Sequence, residues 1–184
     1  VGILSAVLLT VIGVVIGSIA GYFGGRVDVA IMRLIEIIQS LPAFFLILMA
    51  MAFTDPKVVP PIVAIVVVIA LIRWTGTARL VRGEFLRLRE QEFVMAATAL
   101  GFSDARTIFR HVLPNAISPI VVTVSMSMGV LIGTEIILSF LGLGIQPPRP
   151  SLGNMLLEAG SLSALREVPW MLLAPGMVAW TLVL

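Results

Sequence analysis

The chain has 184 residues, of which 59% are hydrophobic and only 12% charged, and its mean hydropathy is +1.13. This composition excludes a soluble globular domain and indicates an integral membrane protein. A net charge of +2 does not indicate nucleic-acid binding, and the absence of cysteine excludes a disulfide framework, a cysteine metal site and a thiol nucleophile. The sequence begins Val-Gly-Ile and ends inside an apolar run, so we expect a fragment of a longer protein that lacks both ends.

Long apolar runs organise the sequence. A helix needs about 20 apolar residues to cross the hydrocarbon core of a bilayer. Five runs approach that length: residues 1–22, 34–53, 58–74, 114–141, and a last run from about Pro169 to Leu184. The sequence therefore predicts an all-α membrane protein, one transmembrane domain over residues 1–184, with five helical spans of which the last is truncated.

The distribution of basic residues predicts the orientation of these spans, because basic residues are retained on the cytoplasmic side of short loops. One set of connections holds nine arginines, and the other holds three basic residues. The nine are Arg26, Arg33, Arg73, Arg79, Arg82, Arg87, Arg89, Arg106 and Arg110; the three are Lys57, Arg149 and Arg166. The connection between the third and fourth runs is thus predicted to be cytoplasmic. The Gly/Pro-rich stretch SFLGLGIQPPRPSLG is predicted to face outward, as a re-entrant turn or a lip.

The cytoplasmic connection, residues 75–113, is long, and long connections in compact proteins are functional or disordered. Its part from Phe93 to Leu100 is rich in helix-forming Ala and Leu, and Gly101 follows where a helix end favours positive φ. We therefore expect an ordered segment that begins with a short helix and a tight turn.

A second short helix is predicted after this turn. Ser103 and Asp104 can cap its start, it would run to Leu113, and Pro114 would then open the fourth span. The whole segment from Glu92 to Asn115 thus has the pattern of helix, turn and helix.

Two interpretations of this segment remain open from the residues alone. The small Ala96 and Ala97 would let a partner approach the backbone, with the aromatic side chains of Phe93, Phe102 and Phe109 as apolar anchors. Alternatively, the segment is an interfacial helix that lies on the lipid headgroups and is held there by its arginines Arg106 and Arg110.

The motifs of the chain resemble a known family. The pattern A-A-x-x-x-G followed by I-x-x-x-x-L-P is similar to the E-A-A motif of the membrane subunits of binding-protein-dependent ABC importers. GYFGGRVD, MRLIEIIQSLP, ARLVRGEFLRLREQEFV, RHVLPN, LSFLGLGIQPPRPSLGNML and PWMLLAPG resemble, in order, the dipeptide, oligopeptide and nickel permease branch. One departure is that the Glu that leads the family motif falls on Met95, with Glu92 three residues earlier.

The resemblance implies a fold, a function and a set of coupling residues. The fold would be the type I transmembrane fold of ABC importers with cytoplasmic coupling helices, located in a prokaryotic inner membrane as a multi-pass protein. Residues 93–113 would be the coupling loop that inserts into an ATP-binding subunit. The residues implied in this contact are Glu92, Met95, Ala96, Ala97, Gly101, Phe102, Ile108, Leu113 and Pro114.

The resemblance also implies the partners. These are a homologous second permease subunit, two ATP-binding subunits and an extracellular or periplasmic substrate-binding protein, and the cargo would be a short peptide or a related small solute. No G-x-x-x-x-G-K-[ST] phosphate loop occurs in the chain, so ATP and magnesium are expected on the partner subunits and no cofactor on this chain. The chain is thus expected to be a non-catalytic subunit.

An ion-coupled secondary transporter or channel is the alternative function, because polar residues occur inside or near the apolar runs. Glu36, Gln39 and Glu135 are the candidates for a polar pathway, and Glu36 could instead pair with Arg33. The single histidine, His111, is expected to interact with carbonyl groups at a helix end rather than with a metal.

Glycines recur at every fourth position in two of the runs, which places them on one helix face and predicts close helix packing. They are Gly13, Gly17 and Gly21 in the first run, and Gly129 and Gly133 in the fourth.

Overall fold

A computed structural model describes residues 1–55, 57–145, 148–160, 168 and 170–183. In chain order the helices are α1 (Gly2–Phe23), α2 (Gly25–Gln39), α3 (Ala43–Ala52), α4 (Pro61–Leu88), α5 (Glu92–Ala99), α6 (Asp104–Thr107), a π-helical segment (Ile108–Val112), α7 (Leu113–Phe140), α8 (Leu152–Ala159) and α9 (Trp170–Val183). These described ranges contain helices and no strands, so the predicted all-α class is confirmed.

Within the described ranges, three helices are long and apolar enough to cross a membrane: Gly2–Phe23, Pro61–Leu88 and the continuous helix Asp104–Phe140. They correspond to the first, third and fourth predicted spans. The fifth apolar run contains the 14-residue helix α9, which is shorter than a span, and its predicted limits Pro169 and Leu184 lie outside the described residues.

The second predicted span is not one helix. It is a broken pair, α2 and α3, which would make a fourth span if the two were counted together. Pro42 explains the break, since it lacks an N–H and disfavours the helical conformation at Leu41. The side chain of Ser40 then closes α2 by donating a hydrogen bond of 2.7 Å to the carbonyl of Ile37.

The predicted connection over residues 75–113 is much shorter than expected, because both flanking helices extend beyond their apolar runs. α4 continues past Trp74 to Leu88, in a stretch rich in Arg and Leu that forms helix readily. Its buried face there consists of Ala78, Val81, Phe85 and Leu88 at helical spacing.

The predicted helix start at Pro114 is also wrong. Residues 104–140 form one continuous helix, in which a π-helical segment precedes the proline. Leu113 donates its N–H to Ile108, five residues back. The buried positions in the first part of this helix, Thr107, Val112, Ala116 and Ile120, are accordingly separated by five, four and four residues. The wider turn adjoins Pro114, whose ring and missing N–H disturb a regular α-helix.

The chain divides into two compact units. One comprises residues 7–42 and 72–125, and its buried cluster consists of Val81, Phe85, Leu88, Val94, Val112, Ala116 and Ile120. The other comprises residues 1–6, 43–71 and 126–184, where Ile47, Ile65, Ile69 and Leu138 are fully buried and α8 packs against α9.

In the first of these units, α1 packs closely against α4 through a stripe of glycines, Gly13, Gly17 and Gly21. A Cβ atom at Gly17 would lie 2.5 Å from the carbonyl oxygen of Ala78, and one at Gly13 would lie 2.7 Å from the Cβ of Thr77. Only a residue without a side chain permits this approach of two backbones. In the other unit, Gly129 likewise lies against the backbone of Val183, and Gly133 is in ordinary contact with that residue.

Candidate functional site

The segment from Glu92 to Asn115, here called the elbow, begins with α5 and a tight turn. The turn has two hydrogen bonds: Gly101 donates its N–H to the carbonyl of Thr98 (2.9 Å) and Phe102 donates to that of Ala97 (3.2 Å). Gly101 has φ +77°, a conformation in which glycine is free of strain. The turn is therefore a Schellman motif, which satisfies carbonyl groups at the end of α5.

The second half of the elbow starts at α6. Ser103 occupies the N-cap position as predicted, but its side chain makes no capping hydrogen bond. Asp104 instead accepts a hydrogen bond of 2.9 Å from the hydroxyl of Tyr22, at the end of α1. Tyr22 was missed by the sequence analysis. The sequence feature that could have indicated it is that the single tyrosine of the chain lies at the end of an apolar run, where an amphipathic ring suits a membrane interface.

The inner face of the elbow is buried. Val94 and Ala97 of α5 are 4% and 3% exposed, and Val94 belongs to the apolar cluster formed by α4 and α7. Ile108 and Leu113 pack partly against the same cluster. Consequently Ala96 and Ala97 do not share one face: Ala96 is exposed, whereas Ala97 faces the interior of the chain.

The outer face of the elbow carries apolar side chains. Met95 is 55% exposed, Leu100 74% and Phe109 70%. Glu92 and Pro114 are exposed on the same segment. An ordered backbone that leaves large apolar groups uncovered has the properties of an interaction surface.

Phe102 is held by its neighbours rather than left free. Its ring stacks on the imidazole of His111 at a centroid distance of 5.8 Å, and the guanidinium of Arg106 lies 5.4 Å from its centroid. His111 lies inside a continuous helix, so its predicted place at a helix end is wrong. Its carbonyl accepts a hydrogen bond of 2.7 Å from the side chain of Asn115.

A hollow of about 460 Å³ lies beside α5. It is lined by Tyr22, Arg89, Glu90, Val94, Met95 and Thr98. Met95, at the position where the motif has Glu, thus lines a hollow that is also lined by a basic side chain, Arg89, and an acidic one, Glu90.

The three polar residues proposed for a pathway each have a partner within the chain. Glu36 forms an exposed ion pair with Arg33 at 2.8 Å, one turn away on α2. Gln39 donates to the hydroxyl of Thr75 at 3.0 Å and accepts from Arg79. Glu135 accepts a hydrogen bond of 2.7 Å from Ser139 on the next turn of α7. Among the described residues no group of three or more His, Cys, Asp or Glu could hold a metal ion.

The Gly/Pro-rich connection after α7, here called the outer connection, covers residues 141–160 except 146 and 147, which are not described. The Oγ of Ser139 accepts a hydrogen bond from the N–H of Ile145 at 3.0 Å. Asn154 donates its side-chain amide to the carbonyl of Ile145 at 2.6 Å, and Ser151 caps α8 by accepting from the N–H of Asn154. The connection is therefore folded back onto the end of α7.

The chain is similar to known proteins over most of its length. The family described as binding-protein-dependent transport system inner membrane component matches residues 13–184. The oligopeptide transport system permease protein OppC of Bacillus subtilis (strain 168) is 38% identical over 95% of this chain and 55% of its own length. The dipeptide transport system permease protein DppC of Alkalihalophilus pseudofirmus is 37% identical over 90% of this chain and 53% of its own length. The OppC protein of Haemophilus influenzae is 40% identical over 95% and 54%. The chain spans about half the length of these relatives.

Proposed function

Because the chain belongs to the family of inner-membrane components of binding-protein-dependent transport systems, we propose that it is the permease subunit of an ATP-driven importer. In this proposal it forms half of a translocation pathway with a homologous subunit. Its cargo is a short peptide or a related small solute, in keeping with relatives named oligopeptide and dipeptide permeases. The ATP-binding subunits hydrolyse ATP, and a separate binding protein delivers the substrate.

One observation carries the mechanism: side chains on the inner face of the elbow are buried within the chain, and apolar side chains on its outer face are exposed. Val94 and Ala97 fix α5 to the chain, while Met95, Leu100 and Phe109 stay exposed. Burying such side chains against a partner is favourable, by about 25 cal/mol per Å² of apolar surface. The elbow would thus insert into an ATP-binding subunit and pass that subunit's movement to α4 and α7, the helices that it joins.

Met95 at the usual Glu position directs this docking toward apolar contacts. The charged groups nearest to it in the hollow, Arg89 and Glu90, are contributed by the chain itself. In this proposal the exposed apolar side chains and the Gly101 turn set the strength of docking, and a carboxylate at residue 95 is not needed.

The turn at Gly101 provides the test. Nothing lies within 4 Å of a Cβ built at Gly101, so Gly101→Val adds no clash, but it forces a β-branched residue to positive φ at a cost of about 1–3 kcal/mol. We expect the full-length importer with this change to insert into membranes normally. Uptake per ATP hydrolysed in proteoliposomes should fall about tenfold.

Gly83→Val is the matched control, because Gly83 also has open space around its Cβ position but lies in helix α4 without positive φ. It should transport as the wild type does. Uptake by the wild-type chain without ATP-binding subunits, driven by an ion gradient, would contradict the importer and support the secondary transporter.

A further inference from the structure

The end of α1 is bonded to the second half of the elbow and to the residues just before the elbow, although α1 is far from both in sequence. Tyr22 donates its hydroxyl to Asp104, the first residue of α6, at 2.9 Å. Arg89, three residues before α5, donates to the carbonyl of Gly21 at 3.5 Å. Two consecutive residues of α1 therefore bond to the chain on either side of α5.

The surroundings of Tyr22 leave its ring little freedom. The ring packs against the apolar cluster of α4, α5 and α7, and it meets the ring of Phe23 edge-on at 5.3 Å. Its hydroxyl is the group that points to α6. Tyr22 thus combines an apolar body inside the unit with a polar hydroxyl that bonds the elbow.

The rest of this end of α1 is fixed to α4. A Cβ at Gly21 would lie 2.5 Å from the Cβ of Phe85 and 2.7 Å from the carbonyl oxygen of Arg82. Arg82 in turn holds the start of α2 through a two-bond ion pair with Asp28, whose second bond is 2.6 Å long. The side chains of this pair are 29% and 13% exposed, so solvent screens it only in part. The end of α1 cannot slide along α4 without breaking these contacts.

We propose that Tyr22 is a positioning residue for energy coupling: its hydrogen bond to Asp104 makes α1 follow the elbow. Without this bond, displacement of the elbow reaches α4 and α7 directly, whereas α1 follows only through its contacts with α4. With the bond, three helices move together when an ATP-binding subunit moves the elbow. This inference rests on the proposed function, and it assigns to α1 a part in transport that the docking segment alone does not explain.

The experiment uses the complete importer in proteoliposomes and measures substrate transported per ATP hydrolysed. Tyr22→Phe keeps the packed ring and removes only the hydroxyl, and Asp104→Ala removes the acceptor. Each should lower the ratio about fivefold, by making ATP hydrolysis less productive. Because both act on one bond, the double variant should be no worse than either single variant.

Two further variants separate positioning from folding. Asp104→Asn retains a side-chain oxygen that accepts the hydrogen bond, and it should restore most of the ratio. Glu84→Gln removes an exposed ion pair with Arg87 inside α4, which joins no two elements, and it should change nothing.

The outcomes distinguish the two proposals. If wild-type importer shows no ATP-dependent uptake, the proposed function fails. If the wild type transports and Tyr22→Phe keeps the wild-type ratio, the positioning role of Tyr22 is overturned. That role is equally overturned if the ratio falls only in step with lost co-purification of the ATP-binding subunits or with a lower unfolding temperature, since Tyr22 would then be merely structural.

Discussion

The turns at Gly101 and Gly142 end their helices in the same way, but the chain that follows each turn is stabilised differently. At Gly142, φ is +75° and Leu143 donates to the carbonyl of Leu138 at 3.0 Å, which repeats the hydrogen bonds at Gly101. After Gly142 the chain folds back onto α7 through the side chains of Ser139 and Asn154. After Gly101 the elbow relies on an apolar cluster beneath it and leaves Phe109 uncovered. One connection satisfies its own polar groups, and the other leaves a large apolar side chain exposed.

The largest effect on the free energy of unfolding is expected where α1 packs against α4, the helix that precedes the elbow. Gly17→Leu places a side chain where a Cβ alone would lie 2.5 Å from the carbonyl of Ala78 and 2.8 Å from the Cβ of Val81. Overpacking of this kind should lower the free energy of unfolding by roughly 3 kcal/mol. The measurement is the unfolding transition in detergent. Gly76→Leu, at a position with nothing within 4 Å, is the control, and equal loss in both variants would show that α1 does not support the unit through this contact.

A somewhat smaller effect is expected in the outer connection. Ser139→Ala removes a fully buried hydroxyl that bonds Glu135 and the N–H of Ile145. The unpaired groups should cost about 2 kcal/mol, and amide hydrogen exchange at residues 141–145 and 148–160 should become faster. The elbow should exchange as before.

Ser125→Ala is the control for Ser139→Ala, because its exposed hydroxyl bonds only the carbonyl of Val121 within α7. Its expected effect on the free energy of unfolding is below about 0.5 kcal/mol. Unchanged exchange in Ser139→Ala would mean that the outer connection does not depend on its own polar bonds.

The smallest effect on the free energy of unfolding is expected for a substitution at the outer face of the elbow. Phe109→Ser removes a side chain that is 70% exposed, so the free energy of unfolding should be unchanged. Affinity for the ATP-binding subunits should nevertheless fall about tenfold, as for an aromatic anchor of an interface. Titration of the subunits onto the detergent-solubilised chain measures this.

Phe53→Ser, at a phenylalanine that is 86% exposed directly after α3, should leave this affinity unchanged. Equal affinity for Phe109→Ser and the wild type would remove Phe109 from the docking surface.

Features that depend on local chemistry could be predicted from the sequence. Gly101 follows a helix-forming stretch and indeed ends α5, and the first apolar run predicts α1 to within one residue at each end. Composition identified a membrane protein because hydropathy needs no tertiary information. The ordered motifs identified the family, which the match over residues 13–184 shows.

Features that depend on contacts between distant residues could not be predicted. The bond from Tyr22 to Asp104 joins positions 82 residues apart, and the burial of Ala97 beside an exposed Ala96 depends on where α4 and α7 lie. Pro42 was present in the second apolar run, but hydropathy alone does not register a break in the backbone. At Pro114 the sequence predicted a helix start, whereas the structure has a continuous helix, because the π-helical turn before Pro114 accommodates the proline.

The widened π-helical turn changes which residues of the helix 104–140 lie on the same face before and after it. Each additional residue in a turn rotates the residues that follow it by about 100°, so the π-helical segment Ile108–Val112 rotates the residues of α7 relative to those of α6. Thr107 and Val112 consequently point into the same interior although five residues separate them. The second half of the elbow and α7 are thus one continuous helix with an angular offset at the π-helical segment, and the number of residues between Asp104 and Ala116 determines which side chains of that half are exposed.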